Sequence, residues 1–304
     1  MPRQKRIMAI HDISCVGRCS LTVVLPVLSA AGINAAVIPT AVLSTHTGGF
    51  TGFTHRDLSD DLLPIARHWK SLGLTFDAIY SGYLANAAQV SIVAEIFDMF
   101  KTDENMILVD PVMGDNGRLY SALAPEMAAE MKKLCSKADL IVPNLTEAAL
   151  LTGESYFEDG YDEKYINGLL KKLTRAGAKS AALTGVSYDK NKIGAAGYDG
   201  ARNEFFYSSR DKIQDVFHGT GDVFASVLLA ALMNGRGLGG ALQTAVDFTF
   251  KCVEITEELK QEKRYGVCFE TALPYLFEFL SPPGASEDFH LPGGDPPAGV
   301  PRRA

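Results

Sequence analysis

The sequence lacks any hydrophobic run long enough to cross a membrane. No segment approaches the ~20 consecutive apolar residues that a membrane-spanning helix needs. The basic start of the chain is followed by only a short apolar stretch before Asp12, which is too short for the core of a secretory signal. The five cysteines include no C-x-x-C pair, so we expect neither a disulfide framework nor a zinc site. These absences predict a cytoplasmic protein without a membrane partner.

The sequence also lacks an excess of positive charge and the common ATP-binding loop. Its formal net charge is −7, and no basic stretch is interleaved with aromatic residues, so we expect no nucleic-acid partner. The motif G-x-x-x-x-G-K-[ST] is absent, which excludes a Walker-type nucleotide site. A G-x-G-x-x-G match at residues 235–240 follows a predicted helix rather than a strand. We interpret it as a turn between helices.

Strand-like and helix-like segments alternate about six times, which predicts an α/β protein with three α/β/α layers and a mostly parallel central sheet. We expect residues 1–280 to form a single domain, with Ser20 as the N-cap of its first helix. Residues 44–53 are rich in glycine and polar side chains, and we interpret them as a mobile flap. Residues 281–304 hold six of the 14 prolines, which predicts a disordered tail.

Polar side chains follow the predicted strands at their carboxyl ends. In sheets of this kind the ligand lies beyond that edge, so these side chains are expected to form one ligand-binding rim. The residues are His11, Asp12, Thr45, His46, Thr47, Tyr83, Asp110, Asn144, Glu147 and Thr184.

Gly219, Thr220, Gly221 and Asp222 directly precede an apolar helical segment. Glycines before a helix leave backbone N–H groups bare at the positive end of the helix dipole, where phosphate commonly binds. Asp222 would repel a phosphate, so we interpret it as a base that accepts a proton from a substrate hydroxyl. Together these features predict phosphoryl transfer to an alcohol. The alternative is a tight turn in which Asp222 only caps the helix.

Asn144 and Glu147 lie three residues apart at a predicted strand-to-helix junction. On a helical turn their side chains face the same side, so Glu147 could hold Mg²⁺ through water while Asn144 orients it. Asp110 ends another strand and adds a second carboxylate for metal or phosphate. The alternatives are structural, with Asn144 or Thr146 as the N-cap of the helix and Asp110 capping a loop.

Asn-x-x-Glu at residues 144–147, followed by Gly-Thr-Gly-Asp at residues 219–222, resembles the ribokinase-like superfamily. Within it, four segments resemble pyridoxal kinases, although hydroxymethylpyrimidine kinases share the last of them. These are Gly-Arg-Cys-Ser at 17–20, Leu-Ser-Thr-His-Thr at 43–47, Ser-Gly-Tyr-Leu at 81–84 and Val-Asp-Pro-Val-Met-Gly at 109–114.

The resemblance implies an ATP- and Mg²⁺-dependent kinase, commonly a homodimer, that phosphorylates the 5′-hydroxymethyl group of pyridoxal, pyridoxine or pyridoxamine, with K⁺ left open as a further ion. Asp222 would be the base. The anion hole would be Gly219, Thr220 and Gly221; Asp110 and Glu147 would serve the metal. Nucleotide contacts would come from Asp110, Asn144, Glu147, Thr184, Gly185, Tyr207, Ser208, Ser209 and Arg210, and vitamer contacts from Asp12, His46, Thr47, Tyr83 and Asp222.

Many pyridoxal kinases carry serine where this chain has Asp12. A carboxylate there could pair with a protonated ring nitrogen or accept a hydrogen bond from the 3-hydroxyl group. Two alternatives remain: a hydroxymethylpyrimidine kinase of the same fold, and a vitamin- or nucleotide-binding sensor without turnover. Asp222 argues against the sensor, because a pure binding site gains nothing from a negative charge inside its phosphate cradle.

Overall fold

The structure is a computed structural model that describes residues 3–280. Its centre is a sheet of nine strands within that range. The strands are β1 (Arg6–Ser14), β2 (Asn34–Leu43), β3 (His55–Asp57), β4 (Ala78–Ser81), β5 (Met106–Val109), β8 (Leu140–Ile141), β9 (Ser180–Val186), β10 (Lys192–Asp199) and β11 (Glu204–Asp211), while β6 (Gly114–Asp115) and β7 (Arg118–Leu119) form a separate small hairpin.

Across the sheet the strand order is β11-β10-β9-β8-β5-β4-β1-β2-β3. The six strands from β9 to β2 pair in parallel, and β3, β10 and β11 add antiparallel edges. The central strand β4 is buried along its whole length, as expected for a parallel strand covered on both faces. All of the parallel strands therefore end at one edge of the sheet.

Helices cover both faces of the sheet. One face packs against α2 (Ser59–Ser71), α3 (Ala87–Phe100), α4 (Met127–Cys135), α5 (Leu145–Thr152) and α6 (Glu163–Arg175); the other packs against α1 (Leu21–Ala30), α7 (Thr220–Met233), α8 (Leu238–Glu258) and α9 (Phe269–Leu280). Phe97 on one side and Phe248 on the other are fully buried, and each such side chain stabilises the fold by about 1.5–3 kcal/mol. The predicted three-layer α/β/α fold is confirmed.

Ser20 occupies the predicted N-cap position of α1, but its hydroxyl donates to Asp12 and makes no capping bond. After β5 the chain forms the β6–β7 hairpin, which Gly117 turns with a φ of +74°.

The tail prediction for residues 281–304 lies outside the described residues, and the single-domain assignment stays a prediction. Between residues 3 and 280, no helix combines the length and apolar character needed to cross a membrane.

Candidate active site

A cavity of about 710 Å³ opens at the carboxyl ends of the parallel strands. The sheet brings residues separated by more than 200 positions into one wall, because parallel strands all end at the same edge. Most of the predicted site residues line this cavity: Asp12, His46, Thr47, Tyr83, Asp110, Asn144, Glu147, Thr184, Gly185, Arg210, Gly219, Thr220, Gly221 and Asp222.

Three predicted nucleotide-contacting residues, Tyr207, Ser208 and Ser209, are not part of the cavity wall. Side chains alternate between the two faces along β11. Tyr207 packs against Tyr188, with ring centroids 4.6 Å apart. Arg210, farther along the strand, does line the cavity and forms an ion pair with Asp247 of α8. The proposed nucleotide role of residues 207–209 remains a prediction.

The phosphate cradle predicted from the glycines begins α7. Gly219 is the N-cap residue, with a φ of +77° and no side-chain cap. A Cβ atom at this position would lie 2.0 Å from the carbonyl oxygen of Arg18, so any other residue would force the two loops apart. The N-terminal N–H groups of α7 consequently face the cavity at the positive end of the helix dipole.

Asp222 lies in the first turn of α7 and does not cap the helix, so the capping alternative is wrong. Burial, with a smaller effect from the negative charge of Asp12, raises the pKa of Asp222 to about 7. A carboxyl group with a pKa near neutrality is well suited to general-base catalysis.

Asp12 lies at a register shift in β1, between His11 and Ile13. It is only 3 % exposed. The hydroxyls of Ser14 and Ser20 donate to its two oxygens at 3.1 and 2.5 Å. Burial raises the pKa of Asp12, and the two hydroxyl donors oppose that rise. Bulges are a common means of re-aiming a side chain at an active site, and here the carboxylate is aimed at the cavity.

Asn144 and Glu147 form a capping box at the start of α5. The Asn144 side chain accepts from the Glu147 N–H at 2.9 Å, and Glu147 accepts from the Asn144 N–H at 2.8 Å and from the Met113 N–H at 3.0 Å. The structural alternative is therefore observed, with Asn144 rather than Thr146 as the N-cap. It does not exclude a metal role, since each carboxylate oxygen has a second lone pair.

Asp110 is 6 % exposed. Within residues 3–280 no donor stabilises its carboxylate, so burial and then the charges of Glu147 and Asp222 raise its pKa well above the usual range. Burial also raises the pKa of Glu147, against three backbone N–H groups that lower it. A pair of buried carboxylates in this state favours the arrival of a cation.

The predicted flap, residues 44–53, contains no helix or strand, and His46, Thr47 and Gly48 within it line the cavity. His46 Nε2 lies 2.6 Å from the Arg264 carbonyl oxygen, and its Nδ1 accepts from the Gly48 N–H at 3.2 Å. Nε2 is therefore the protonated nitrogen. Burial lowers the pKa of His46, which keeps the ring neutral. Gly48 lies against His218, where a Cβ atom would approach the ring to 2.7 Å.

Sequence reasoning missed an apolar wall beside the cradle. It is built from the loop before α7 and from one face of α8: Ile213, Val216, Phe217, Val246, Phe250 and Val253. Val216 is 71 % exposed, which is unusual for valine. The α8 residues follow helical spacing and are indistinguishable in sequence from ordinary core positions. The available signal in the sequence was the apolar pair Val216 and Phe217 just before His218 and the glycines.

The site can now be compared with known proteins. The family model described as phosphomethylpyrimidine kinase matches residues 25–267. The chain belongs to this family. Membership confirms the predicted phosphotransferase and the resemblance to ribokinase-like kinases.

Solved structures resemble this kinase over nearly its whole length. A "putative phosphomethylpyrimidine kinase" of Bacteroides thetaiotaomicron, crystallised with pyridoxal, is 38% identical, covers 90% of this chain and 96% of its own, and has a TM-score of 0.86. Pyridoxal kinase of Lactobacillus plantarum is 32% identical, with coverage of 90% and 97% and a TM-score of 0.82.

A relative of the other specificity is similarly close in sequence. Hydroxymethylpyrimidine/phosphomethylpyrimidine kinase of Aquifex aeolicus is 33% identical over 194 residues, or 62% of this chain and 69% of that protein. The kinase therefore resembles enzymes named for two different ring substrates.

Proposed function

We propose that this kinase transfers a phosphoryl group from ATP to the 5′-hydroxymethyl group of a B6 vitamer, that is pyridoxal, pyridoxine or pyridoxamine. The observation that carries the proposal is the placement of Asp222 inside a helix N-terminal cradle, in the same cavity as Asp12 and Tyr83. A base, an anion site and a ring pocket in one cavity are the parts that phosphorylation of a hydroxymethyl heteroaromatic compound requires.

In this mechanism Asp222 accepts the proton of the substrate hydroxyl as its oxygen attacks the phosphoryl group. The N–H groups of Gly219, Thr220 and Gly221 stabilise the negative charge that spreads over the transferring group. His46 and Thr47 on the flap cover the cavity and exclude water, which limits hydrolysis of ATP.

The nucleotide half of the site fits Mg²⁺. No group in residues 3–280 donates a hydrogen bond to the Asp110 carboxylate, whereas each Glu147 oxygen accepts one from a backbone N–H group. In our proposal Asp110 therefore faces the ion and Glu147 acts through water, an arrangement suited to a metal that binds few protein ligands and keeps several waters. When bound, Mg²⁺ neutralises charge on the phosphates. No cluster of three or more ligating side chains occurs in residues 3–280.

The second candidate is hydroxymethylpyrimidine, which the family description and the Aquifex aeolicus relative favour. The buried carboxylate of Asp12 favours the B6 vitamers. A negative charge beside the ring suits a protonated pyridine nitrogen or a ring hydroxyl, and a site built to pair with such a group rejects analogues that lack it.

The test compares kcat/KM for pyridoxal, pyridoxine, pyridoxamine and hydroxymethylpyrimidine, with Asp12→Ser beside the wild type. We expect the wild type to prefer a B6 vitamer. We expect Asp12→Ser to lower kcat/KM for that vitamer about 10–100-fold, the range for a lost hydrogen bond to a charged group. Equal or better use of the pyrimidine by the wild type would contradict the B6 assignment and leave the kinase assignment intact. An unchanged vitamer ranking in Asp12→Ser would contradict the role of Asp12.

Cytoplasmic residence and a homodimeric state are also part of the proposal. All five cysteines are free thiols within the described residues, which supports a reducing compartment. Light scattering of the purified protein would test the dimer.

A further inference from the structure

Both ring nitrogens of His46 are bonded within the protein. Nε2 donates to the Arg264 carbonyl oxygen at 2.6 Å, and Nδ1 accepts from the Gly48 N–H at 3.2 Å. The residue is only 5 % exposed, although its flap neighbours Thr47 and Gly49 are exposed. A neutral imidazole has one donor and one acceptor nitrogen. The His46 ring therefore has no free nitrogen with which to bind a ring substrate.

The His46 ring is inserted between segments from three other parts of the chain. The first is Gly17 in the loop before α1, where a Cβ atom would lie 2.1 Å from His46 Cδ2. The second is the ring of His218, in the loop before α7, with the two ring centroids 5.4 Å apart. The third is the strap, our name for residues 264–267, which lie between α8 and α9. The flap is thus anchored in the protein through one buried side chain.

Phe50, farther along the flap, makes a second set of contacts. Its ring centroid lies 5.0 Å from that of His46 and 5.4 Å from that of Tyr265 in the strap. The guanidinium carbon of Arg264 lies 5.2 Å from the same centroid. Aromatic pairs and a cation over an aromatic ring both attract. Phe50 is not among the residues that line the cavity, so these contacts hold the flap without touching a substrate.

The strap is also bonded to the cradle and to the loop before α1. The Tyr265 carbonyl oxygen accepts from the Arg18 N–H at 2.9 Å, and the Val267 N–H donates to the His218 carbonyl oxygen at 3.1 Å. His218 directly precedes the N-cap glycine of α7. One short segment thus fixes the flap, the loop before α1 and the start of the cradle relative to one another.

We infer that His46 and Phe50 are positioning residues that clasp the flap to the strap and so keep it closed over the cradle during phosphoryl transfer. This inference rests on the proposed use of ATP. It gives His46 a positioning role in place of the predicted contact with the vitamer.

Loss of the clasp has a chemical consequence that can be measured. A closed flap keeps water away from the transferring group. When the flap opens, water attacks the γ-phosphorus of ATP in place of the substrate hydroxyl, and the bond to the β-phosphate oxygen breaks. The products are ADP, inorganic phosphate and a proton. ADP then forms in excess of the phosphorylated ring substrate, and we call this difference, per mole of phosphorylated product, the ADP excess.

The first test compares His46→Ala with the wild type at saturating ATP and Mg²⁺. We expect the variant to raise the ADP excess about 2–10-fold, the range that corresponds to loss of one hydrogen bond. ADP and phosphorylated product are measured in the same reaction, well below the melting temperature of each protein. A higher KM for the ring substrate without a higher ADP excess would make His46 a substrate ligand and overturn the inference.

The second test compares Phe50→Leu with Phe53→Leu. Phe50→Leu removes the ring and leaves both hydrogen bonds of His46 in place. Phe53 is the matched control, since it lies in the same flap, is likewise half-buried and takes part in none of the ring contacts within residues 3–280. Phe50→Leu should raise the ADP excess about 2–10-fold. An ADP excess equal to that of Phe53→Leu would overturn the inference, even if His46→Ala failed to fold.

Both tests are made with pyridoxal and with hydroxymethylpyrimidine. If the wild type phosphorylates only the pyrimidine, the B6 proposal fails, and the ADP excess is measured with the pyrimidine instead. If the clasp alone is wrong, the wild type still phosphorylates its ring substrate, and the ADP excess is the same in all of the variants. The two failures are therefore distinguishable.

Discussion

Two pairs of carboxylates line the cavity, Asp12 with Asp222 and Asp110 with Glu147, and their hydrogen-bond partners differ. On the proposed substrate side, two serine hydroxyls donate to Asp12, and burial raises the pKa of Asp222 to about 7. On the proposed nucleotide side, Glu147 accepts from backbone N–H groups, but Asp110 receives no donor from the described residues. A carboxyl group with a pKa near neutrality can accept a proton from substrate, whereas a buried carboxylate without hydrogen-bond donors favours a cation.

The contrast has a structural origin. Ser14, one donor to Asp12, ends β1, and Ser20, the other, lies in the loop before α1. Glu147 accepts from Asn144 in the capping box of α5 and from Met113, which follows β5. Proton transfer is thus expected at one pair and metal binding at the other.

The largest effect is expected on the substrate side. Asp222→Asn keeps the shape of the cradle and removes the base, so kcat should fall ~10²–10⁴-fold, the usual contribution of a positioned general base. Steady-state kinetics with saturating ATP and vitamer measure it. Asp12→Asn is the matched control and should act mainly on KM. Near-normal turnover in Asp222→Asn would remove the proton-transfer role from this pair.

On the nucleotide side, Asp110→Asn and Glu147→Gln should raise the Mg²⁺ concentration needed for half-maximal rate. Roughly 10–100-fold is the range for lost outer-shell partners. The effect follows from the loss of one negative charge near the ion. Glu104→Gln, at an exposed loop position, is the control for carboxylate removal. A magnesium titration that stays unchanged, with a normal melting temperature, would return both residues to a structural role.

A smaller effect concerns stability against pH. The pKa values of Asp110, Glu147 and Asp222 are raised above their unfolded values by burial. The folded state therefore holds protons that the unfolded state has released, and this stabilisation is lost as the pH rises through the folded pKa values. Without Mg²⁺, the melting temperature should be lower at pH 8 than at pH 6.

Addition of Mg²⁺ should reduce that difference, since the ion takes over the role of the protons. Asp110→Asn should flatten the dependence as well. Hydrogen bonds from lysine side chains lower the pKa of Asp139. This carboxyl group therefore titrates below the pH window and does not interfere. His11 and His46, whose pKa values burial lowers, act in the opposite direction, so Asp110→Asn is compared with the wild type; an identical pH dependence of the two melting temperatures in EDTA would contradict the raised pKa of Asp110.

Much of this kinase could be predicted from residue order alone. Continuous apolar runs such as Met106–Val109, which forms β5, are recognisable in the sequence because a strand buried on both faces needs continuous hydrophobicity. The glycines before the apolar segment located the start of α7 at Gly219, and the anion site there stays a prediction that rests on the helix backbone. The alternation of strands and helices predicted a parallel sheet, and hence that the polar residues at the carboxyl ends of its strands lie along one edge.

Other parts depended on contacts between distant segments. Nothing in the sequence around Ser20 distinguishes a helix cap from a donor to Asp12, because the choice depends on the bulge in β1 and on the cradle of α7. The sequence spacing of Val246 and Phe250 predicts core positions. In the structure both residues line the cavity. The residues proposed for phosphoryl transfer lie in short turns and at helix starts, so a local sequence motif is enough to identify them. Their charges, partners and separations are decided only by the packed fold, since burial and electrostatic coupling act through space rather than along the chain.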